Sequence, residues 1–232
     1  NPFHIYLSVM SKKLDPITQA IRMQMAQTQQ HEHSAPLYLT SSFTFDAAET
    51  MRAAFADEND NNIYSRFSNP NVDEFVAKMC MLENAEDGFA TSTGMSAVFG
   101  SMMALLKQGD HLLCCSSVFG STFTIVNKYL PRYGITCTLV PANDEAAWEA
   151  AVQPNTKMIY LETPTNPQLE IIDLEWIGKF AKKHQLILNV DNCFATPLLQ
   201  RPVDYGADLV IHSATKWIDG QGRVLGGVIV GR

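Results

Sequence analysis

One stretch near the end of the chain carries the residues best suited to covalent chemistry. An apolar run at 209–211 is followed by two hydroxyl side chains, Ser213 and Thr215, and then by Lys216. The run is too short and too rich in β-branched residues for a helix, so we predict a buried strand. In open α/β sheets, ligands bind outside the carboxyl ends of the strands. The strand is therefore expected to deliver these three side chains to a binding edge.

A lysine in such a position can act as a nucleophile. Burial lowers the pKa of an ammonium group and leaves a free amine that attacks carbonyl carbons. The two neighbouring hydroxyls suit a phosphate group, so the stretch has the parts needed to hold pyridoxal phosphate as a Schiff base on Lys216. The alternative is that Lys216 is an ordinary solvated lysine, as most lysines are.

Composition narrows the classes of protein to consider. The 232 residues carry a formal net charge of −7, which argues against nucleic acid as a partner. The sequence has no apolar run long enough to span a membrane. The five cysteines are odd in number and lie mostly in strand or helix patterns, which indicates reduced thiols and a cytoplasmic protein. No metal-ligand spacing is present, so we expect no metal site.

Apolar segments of strand length alternate with helical segments from about residue 87 onwards. The predicted strands are 87–91, 111–115, 135–140, 157–161, 186–190, 209–211 and 226–231. Helices are predicted over 16–30, from a cap at Asp46 to about 56, and from a cap at Asn71 to about 82. Further helices are predicted after the turn at 92–96 to about 106, after the turn at 116–122 to about 133, over 143–152 and over 173–184. Nearly continuous apolar strands separated by helices predict an α/β fold, with a mostly parallel sheet covered by helices on both faces.

Polar residues follow several of these strands. Asp191 comes directly after the strand at 186–190, where an unpaired charge is costly to bury. A pyridinium nitrogen is a suitable partner, because the ion pair keeps the ring protonated and able to accept electrons. A helix cap or an ordinary salt bridge remains the alternative for Asp191. Asn166 lies in the loop after the predicted strand at 157–161 and is expected at the same carboxyl edge of the sheet.

Three further stretches of the chain suit a phosphorylated, aromatic ligand. Gly94 and Met95 open a helix straight after a strand, where free backbone N–H groups and the helix dipole favour an anion. Phe119 follows another strand and could stack on a ring, or simply belong to the core. Tyr64 and Arg66 lie in an acidic loop and could clamp a phosphate, the alternative being a solvated arginine beside buried aromatics.

Six motifs in order resemble the Cys/Met-metabolism pyridoxal-phosphate enzymes. They are YSRFSNP, STGMSA, SVFGST, ETPTNP, VDNCFATP and HSATKWIDGQGR, and the resemblance covers nearly the whole chain from about residue 15. It implies the large domain of a fold type I, aspartate aminotransferase-like enzyme at 61–232. Residues 1–60 would form an N-terminal arm and helices that make subunit contacts. The family's C-terminal domain is expected to be absent from this chain.

The resemblance also implies roles for individual residues. Lys216 would be the Schiff-base lysine, and Asp191 would hold the pyridine nitrogen. Tyr64 is expected to be a catalytic residue, as are Lys216 and Asp191. The phosphate would be bound by Gly94, Met95, Ser213 and Thr215. Asn166 would lie near the cofactor's phenolic oxygen, and Phe119 would stack on the ring.

Assembly is implied in the same way. In the family, residues matching Tyr64 and Arg66 reach the phosphate of a neighbouring subunit. The resemblance therefore implies a homotetramer built from dimers that share active sites.

One departure from the family bears on the reaction. Many members carry tyrosine where this chain has Phe119, which has no proton to donate. A thiol leaving group, with a pKa of ~8.5, benefits from a proton donor, whereas a carboxylate, whose conjugate acid has a pKa of ~4, hardly needs one. The sequence therefore favours γ-replacement on O-succinylhomoserine or O-acetylhomoserine, with sulfide giving homocysteine for methionine biosynthesis. The motifs SVFGST and KWIDGQGR also look most like those of O-succinylhomoserine sulfhydrylases.

Other functions remain open from the sequence. A methionine γ-lyase or a cystathionine γ-synthase or lyase would use the same cofactor. A fragment that binds the cofactor without catalysis is a second alternative. A nicotinamide-dependent dehydrogenase is disfavoured, because no glycine fingerprint follows the first strand.

Overall fold

A computed structural model describes residues 15–232 of the chain in two compact units. The first comprises the described residues up to Lys78, and the second is Met79–Arg232. The first fourteen residues of the predicted arm at 1–60 lie outside the described part. The subunit-contact role of that arm and the domain boundary at 60/61 stay predictions.

Three helices begin in the first unit: α1 (Pro16–Arg22), α2 (Ala48–Phe55) and α3 (Pro70–Glu83). The prediction of one helix over 16–30 is wrong beyond Arg22, because side chains take the backbone donors that would continue it. Met25 N–H donates to Glu74 Oε2 at 2.8 Å, and Thr28 N–H donates to Glu32 Oε1 at 2.7 Å.

Two predicted caps differ by a residue or two. Helix α2 has Ala47 at its cap position, with no side-chain hydrogen bond, instead of Asp46. Helix α3 begins at Pro70, whose missing N–H suits the first turn of a helix. Asn69, not Asn71, supplies the capping oxygen, since its Oδ1 accepts Asn71 N–H at 3.0 Å.

The second unit is built on a seven-stranded sheet. Its strands are β1 (Asp87–Thr91), β2 (His111–Cys115), β3 (Thr136–Val140), β4 (Thr156–Glu162), β5 (Ile187–Asp191), β6 (Leu209–Ser213) and β7 (Gly227–Gly231). The spatial order is β1-β7-β6-β5-β4-β2-β3. Neighbours from β6 through β5, β4 and β2 to β3 pair in parallel. The predicted strands and the mostly parallel sheet are confirmed.

Strand β7 departs from the parallel arrangement and pairs antiparallel with both β6 and β1. It follows β6 through residues 214–226, which contain no helix. Parallel strands need a crossover, usually a helix, whereas a chain that simply turns back gives an antiparallel pair. The strand therefore lies between β1 and β6, antiparallel to both.

Helices connect the other strands. They are α4 (Gly94–Leu105), α5 (Gly120–Thr124), α6 (Glu145–Ala151), α7 (Leu174–His184) and α8 (Thr196–Leu199). The helix predicted to reach about residue 133 is wrong as one regular helix. After α5 it continues as a π-helical turn, Ile125–Tyr129, and a 3₁₀ turn, Leu130–Tyr133, where Pro131 supplies no N–H.

The core lies on and around the sheet. Strand β2 is buried at every position, and β4 at all but one. Helix α7 is capped by Asp173 and buries the predicted face Leu174, Ile177, Phe180 and Ala181. Among residues 15–232, no helix is both long enough and apolar enough to cross a membrane. The same residues include no cluster of side chains suited to a metal ion.

Candidate cofactor site

Three neighbouring parallel strands end at one edge of the sheet. Strand β4 ends at Glu162, β5 at Asp191 and β6 at Ser213. The register of β4 and β5 places Glu162 directly beside Asp191. Because the strands are parallel, their polar ends share the carboxyl edge, where α/β sheets bind ligands.

The amino end of helix α4 meets the end of β6 at this edge. Thr93 caps the helix by accepting Ser96 N–H on Oγ1 at 3.0 Å. A Cβ on Gly94 would lie 2.5 Å from Ser213 Cβ, so only glycine permits this approach of the two backbones. The predicted phosphate residues Gly94, Met95 and Ser213 therefore come together. The first N–H groups of a helix lack intrahelical acceptors and attract an anion.

Thr215 lies in the turn that leaves β6. Gly226 N–H donates to its Oγ1 at 3.3 Å, across the loop that separates β6 from β7. Ser213 is half-buried and so is Thr215. Both predicted hydroxyls therefore stand in the segment that leads from the strand end to Lys216.

Asp191 is held by short-range donors at the end of β5. Its Oδ1 accepts Cys193 N–H at 2.9 Å, and Tyr160 O–H donates to Oδ2 at 3.4 Å. Burial raises the pKa of the Asp191 carboxyl above its ordinary value. No cationic side chain of the described residues forms a salt bridge with it. A protonated ring nitrogen would supply the missing positive charge.

A buried polar network lies next to Asp191. Asn192 Nδ2 donates to Glu83 Oε1 at 2.8 Å, and His212 Nε2 lies 2.5 Å from the same oxygen. Glu83 and His212 have fully buried side chains. His212 also acts on Asp191, where its charge partly offsets the rise in pKa caused by burial.

Glu162 is a site residue that the sequence reasoning missed. Its Oε1 accepts Phe119 N–H at 2.9 Å. Burial, followed by the charge of Asp191, raises the pKa of Glu162 to about 8. The signal was present in the sequence, because Glu162 ends an apolar strand just as Asp191 does.

Phe119 is 45% exposed, so the alternative that it is a core residue does not hold in this chain. It stands immediately before α5, at the position preceding Gly120. Its ring is therefore available to a ligand, while its backbone N–H is tied to the carboxyl edge through Glu162.

Two other predicted site residues, Lys216 and Asn166, lie in loops that follow the strands. Lys216 is exposed, so the burial that the sequence argument required is not seen in this chain. Its positive charge does act on the thiol of Cys193, two residues after Asp191. Asn166 is half-buried in the loop after β4 and precedes a cis bond to Pro167.

Tyr64 and Arg66 belong to the first unit. The Arg66 guanidinium carbon lies 5.2 Å from the ring centre of Tyr64 and 5.1 Å from that of Phe67. The loop thus holds a cation between two aromatic rings. The role predicted for these residues at a phosphate of a neighbouring subunit stays a prediction.

Comparison with known proteins identifies the family. The model of the family described as Cys/Met metabolism PLP-dependent enzyme matches residues 17–232. The chain belongs to the Cys/Met metabolism PLP-dependent enzyme family. The resemblance inferred from the motifs is therefore confirmed, and with it the fold type I architecture and the cofactor pyridoxal phosphate.

Two relatives and one solved structure illustrate the range within this family. The chain is 47% identical to an O-succinylhomoserine sulfhydrylase of Pseudomonas aeruginosa, over 93% of this chain and 53% of that protein. It is 40% identical to an L-methionine gamma-lyase of Porphyromonas gingivalis, over 86% of this chain and 50% of that protein. The chain spans about half the length of these curated relatives.

The solved structure is a crystal structure from Campylobacter jejuni. It has a TM-score of 0.90 and 32% identity, and the match covers 95% of this chain and 55% of that one. It contains N'-pyridoxyl-lysine-5'-monophosphate, in which the cofactor is joined to a lysine.

The residues of the edge fit this family's cofactor. Asp191 offers a carboxyl without a cationic side-chain partner among the described residues, which suits a pyridinium nitrogen. Gly94 lets the start of α4 lie against Ser213, since a Cβ there would lie 2.5 Å from Ser213 Cβ, and this sets the first N–H groups of the helix beside a hydroxyl, which suits a phosphate. Phe119 presents an exposed ring for stacking.

Proposed function

We propose that the full protein catalyses γ-replacement, converting O-succinylhomoserine or O-acetylhomoserine and sulfide into homocysteine. The observation that carries this proposal is Phe119, whose exposed phenyl ring stands at the carboxyl edge without an acidic proton. The 47% identity to the sulfhydrylase of Pseudomonas aeruginosa supports the same reaction.

The cofactor is assigned to the carboxyl edge of β4, β5 and β6. Asp191 binds the ring nitrogen, and Phe119 covers one face of the ring. The start of α4 at Gly94 and Met95, with Ser213 and Thr215, binds the phosphate. Asn166 lies toward the phenolic oxygen, and Lys216 is the lysine that binds the cofactor covalently.

The chain's residues then divide the work of proton transfer and orientation. When bound, pyridoxal phosphate withdraws electrons from the substrate's α-carbon. The freed amine of Lys216 removes the α-proton and moves protons between neighbouring carbons so that the β-proton can also leave. Asp191 keeps the ring nitrogen protonated by its negative charge.

The leaving group determines which reaction is favoured. A carboxylate leaves the γ-carbon without a proton, since the pKa of a carboxylic acid is ~4. A sulfur leaving group departs more readily with a proton, since the pKa of a thiol is ~8.5. Phe119 has no proton to give. Sulfide is the nucleophile that then adds at the γ-carbon.

The assembly is also part of the proposal. We infer a homotetramer in which Tyr64 and Arg66 reach the phosphate site of a neighbouring subunit, with Tyr64 acting in catalysis. We infer a cytoplasmic location from the cysteine usage of the chain.

The test supplies the full-length protein, loaded with pyridoxal phosphate, with O-succinylhomoserine in the presence and absence of sulfide. Homocysteine and α-ketobutyrate are then quantified. We expect homocysteine only when sulfide is present, and in excess over the keto acid. Keto acid formed regardless of sulfide would contradict the proposal and support a γ-lyase. Cofactor binding without either product would support a non-catalytic role.

The Phe119→Tyr and Lys216→Ala variants make this test specific. Phe119→Tyr adds a proton donor, so it should raise turnover of methionine or cystathionine relative to O-succinylhomoserine. Lys216→Ala should form neither product, because it removes the amine that transfers protons. Near-normal activity of Lys216→Ala would contradict the whole scheme.

A further inference from the structure

We propose that Glu162 is a positioning residue: as a neutral carboxylic acid it fixes Phe119 at the cofactor ring and leaves Asp191 as the charged member of the pair. This inference rests on the proposed placement of the ring between Asp191 and Phe119. It adds a residue that the sequence motifs did not single out.

Glu162 lies next to both residues that are proposed to contact the cofactor ring, Asp191 and Phe119. Glu162 is only 5% exposed and is the last residue of β4. The sheet register sets it directly beside Asp191. Across the edge, its Oε1 accepts the backbone N–H of Phe119 at 2.9 Å. One side chain therefore connects the nitrogen-binding carboxyl with the stacking residue.

The surroundings decide which of the two carboxyls keeps a proton. Asp191 receives hydrogen bonds from Cys193 N–H and from Tyr160 O–H, and His212 acts on it. These contacts stabilise a negative charge on Asp191. Glu162 also accepts a hydrogen bond, from Phe119 N–H, that favours its charged form, but of the two carboxyls only Asp191 is acted on by the charge of His212.

The groups that face Glu162 offer it no positive charge. Among residues 15–232 they are Asp191 on β5, Tyr160 on its own strand, Cys114 and Cys115 on β2, and Cys193 after β5. Two carboxyls side by side do not both ionise readily. Burial and the charge of Asp191 raise the pKa of Glu162 to about 8, in agreement with this assignment.

The hydrogen bond matters because it acts on the backbone of Phe119. The phenyl ring is exposed and makes no ring contact with another aromatic side chain of residues 15–232 that would orient it. A backbone N–H fixed at 2.9 Å to a buried acceptor restricts where the ring can lie. Loss of the acceptor would leave this N–H unpaired and the ring free to move.

The experiment compares three variants of the full-length protein loaded with pyridoxal phosphate. Glu162→Gln keeps a neutral acceptor of the same shape, whereas Glu162→Leu removes the acceptor but fills similar space. Glu170→Gln is the matched control, because Glu170 is exposed and accepts a hydrogen bond from Ser117 in the neighbouring loop. The dissociation constant of the cofactor and the circular dichroism of its visible band are measured.

We expect Glu162→Leu to weaken cofactor binding at least tenfold and to reduce the dichroism, which reports how the ring is held. Glu162→Gln should restore the affinity to within about threefold of wild type and restore the dichroism, as should Glu170→Gln. Wild-type behaviour of Glu162→Leu would overturn the positioning role. A Glu162→Gln variant as impaired as Glu162→Leu would overturn the neutral state.

A second measurement covers the case in which Glu162→Leu does not fold. Infrared difference spectra of wild type against Glu162→Gln at pH 7 should contain the carbonyl stretch of a protonated carboxyl group. Its absence would overturn the inference. A wild-type protein that binds no pyridoxal phosphate would instead refute the proposed function, so the two failures are distinguishable.

Discussion

Asp191 is half-buried at the end of β5 and forms no salt bridge with a cationic side chain of residues 15–232, an arrangement that a ligand can complete. We predict that Asp191→Asn keeps the side-chain shape and the acceptor for Cys193 N–H, yet loses the negative charge. Removing one partner of a buried ion pair costs about 3 kcal/mol or more, which corresponds to a loss of about a hundredfold. Cofactor affinity and kcat should both fall by at least this factor.

The matched control for this variant is Asp204→Asn. Asp204 is exposed and pairs with Arg201 at 2.8 Å on the surface, where ion pairs contribute little. Its cofactor affinity should equal that of wild type. An Asp191→Asn variant that binds the cofactor within threefold of wild type would mean that another group holds the ring nitrogen.

Sequence reasoning identified Asp191 but passed over Glu162, although both end apolar strands. The difference is that Asp191 had a ready chemical partner in a ring nitrogen. Glu162 acts on a backbone N–H of Phe119, a contact between residues 43 positions apart that only the fold creates. Contacts of this kind leave no local pattern in the sequence.

The junction of α4 with β6 is tested by a pair of glycines in the same helix. At Gly94 an added Cβ would lie 2.5 Å from Ser213 Cβ, so Gly94→Ala should push the helix start away from the strand end. We expect at least a tenfold loss of cofactor affinity, measured by titration. The loss should come with lower stability, because the displaced backbone disturbs the packing around it.

Gly100→Ala is the control within α4. A Cβ there meets nothing within 4 Å, and alanine is a better helix former than glycine. This variant should bind the cofactor as wild type does and gain up to about 1 kcal/mol of stability. Equal effects of the two substitutions would show that the close approach at Gly94 does not shape the phosphate site.

Helices and strands can be predicted from the sequence where the spacing of apolar residues agrees with the packing of the core. Helix α7 shows this, because its predicted apolar face Leu174, Ile177, Phe180 and Ala181 is the face that the core buries. The helix predicted over 16–30 failed because the Glu74 carboxylate takes the N–H of Met25, from a residue far along the chain. The antiparallel direction of β7 was also hidden, since an apolar strand looks alike in either direction.

At the scale of the whole molecule, Glu162 should make folding stability depend on pH. Its pKa is raised from 4.5 to about 8 on folding, so the folded protein holds a proton that the unfolded chain has released. This contribution is fully present below pH 4.5 and is lost as the pH rises to about 8. The free energy of unfolding should fall by up to about 1.4 kcal/mol per pH unit across that window.

Denaturant unfolding of the cofactor-free protein at several pH values measures this effect. Glu162→Gln has no proton to lose, so its stability advantage over wild type should grow between pH 5 and 8 and then level off. A difference between the two proteins that does not change with pH would show that Glu162 is ionised throughout.

Lys216 is the lysine to which the cofactor should be joined, and this can be measured directly. Full-length protein would be loaded with pyridoxal phosphate, reduced with borohydride, digested and mapped by mass spectrometry, with Lys183→Ala and Lys216→Ala in parallel. Lys183 is an exposed lysine that pairs with Glu149, so its loss should change nothing. We predict a pyridoxyl group on Lys216 alone, absent from Lys216→Ala. A label on another lysine, or one that persists in Lys216→Ala, would contradict the account.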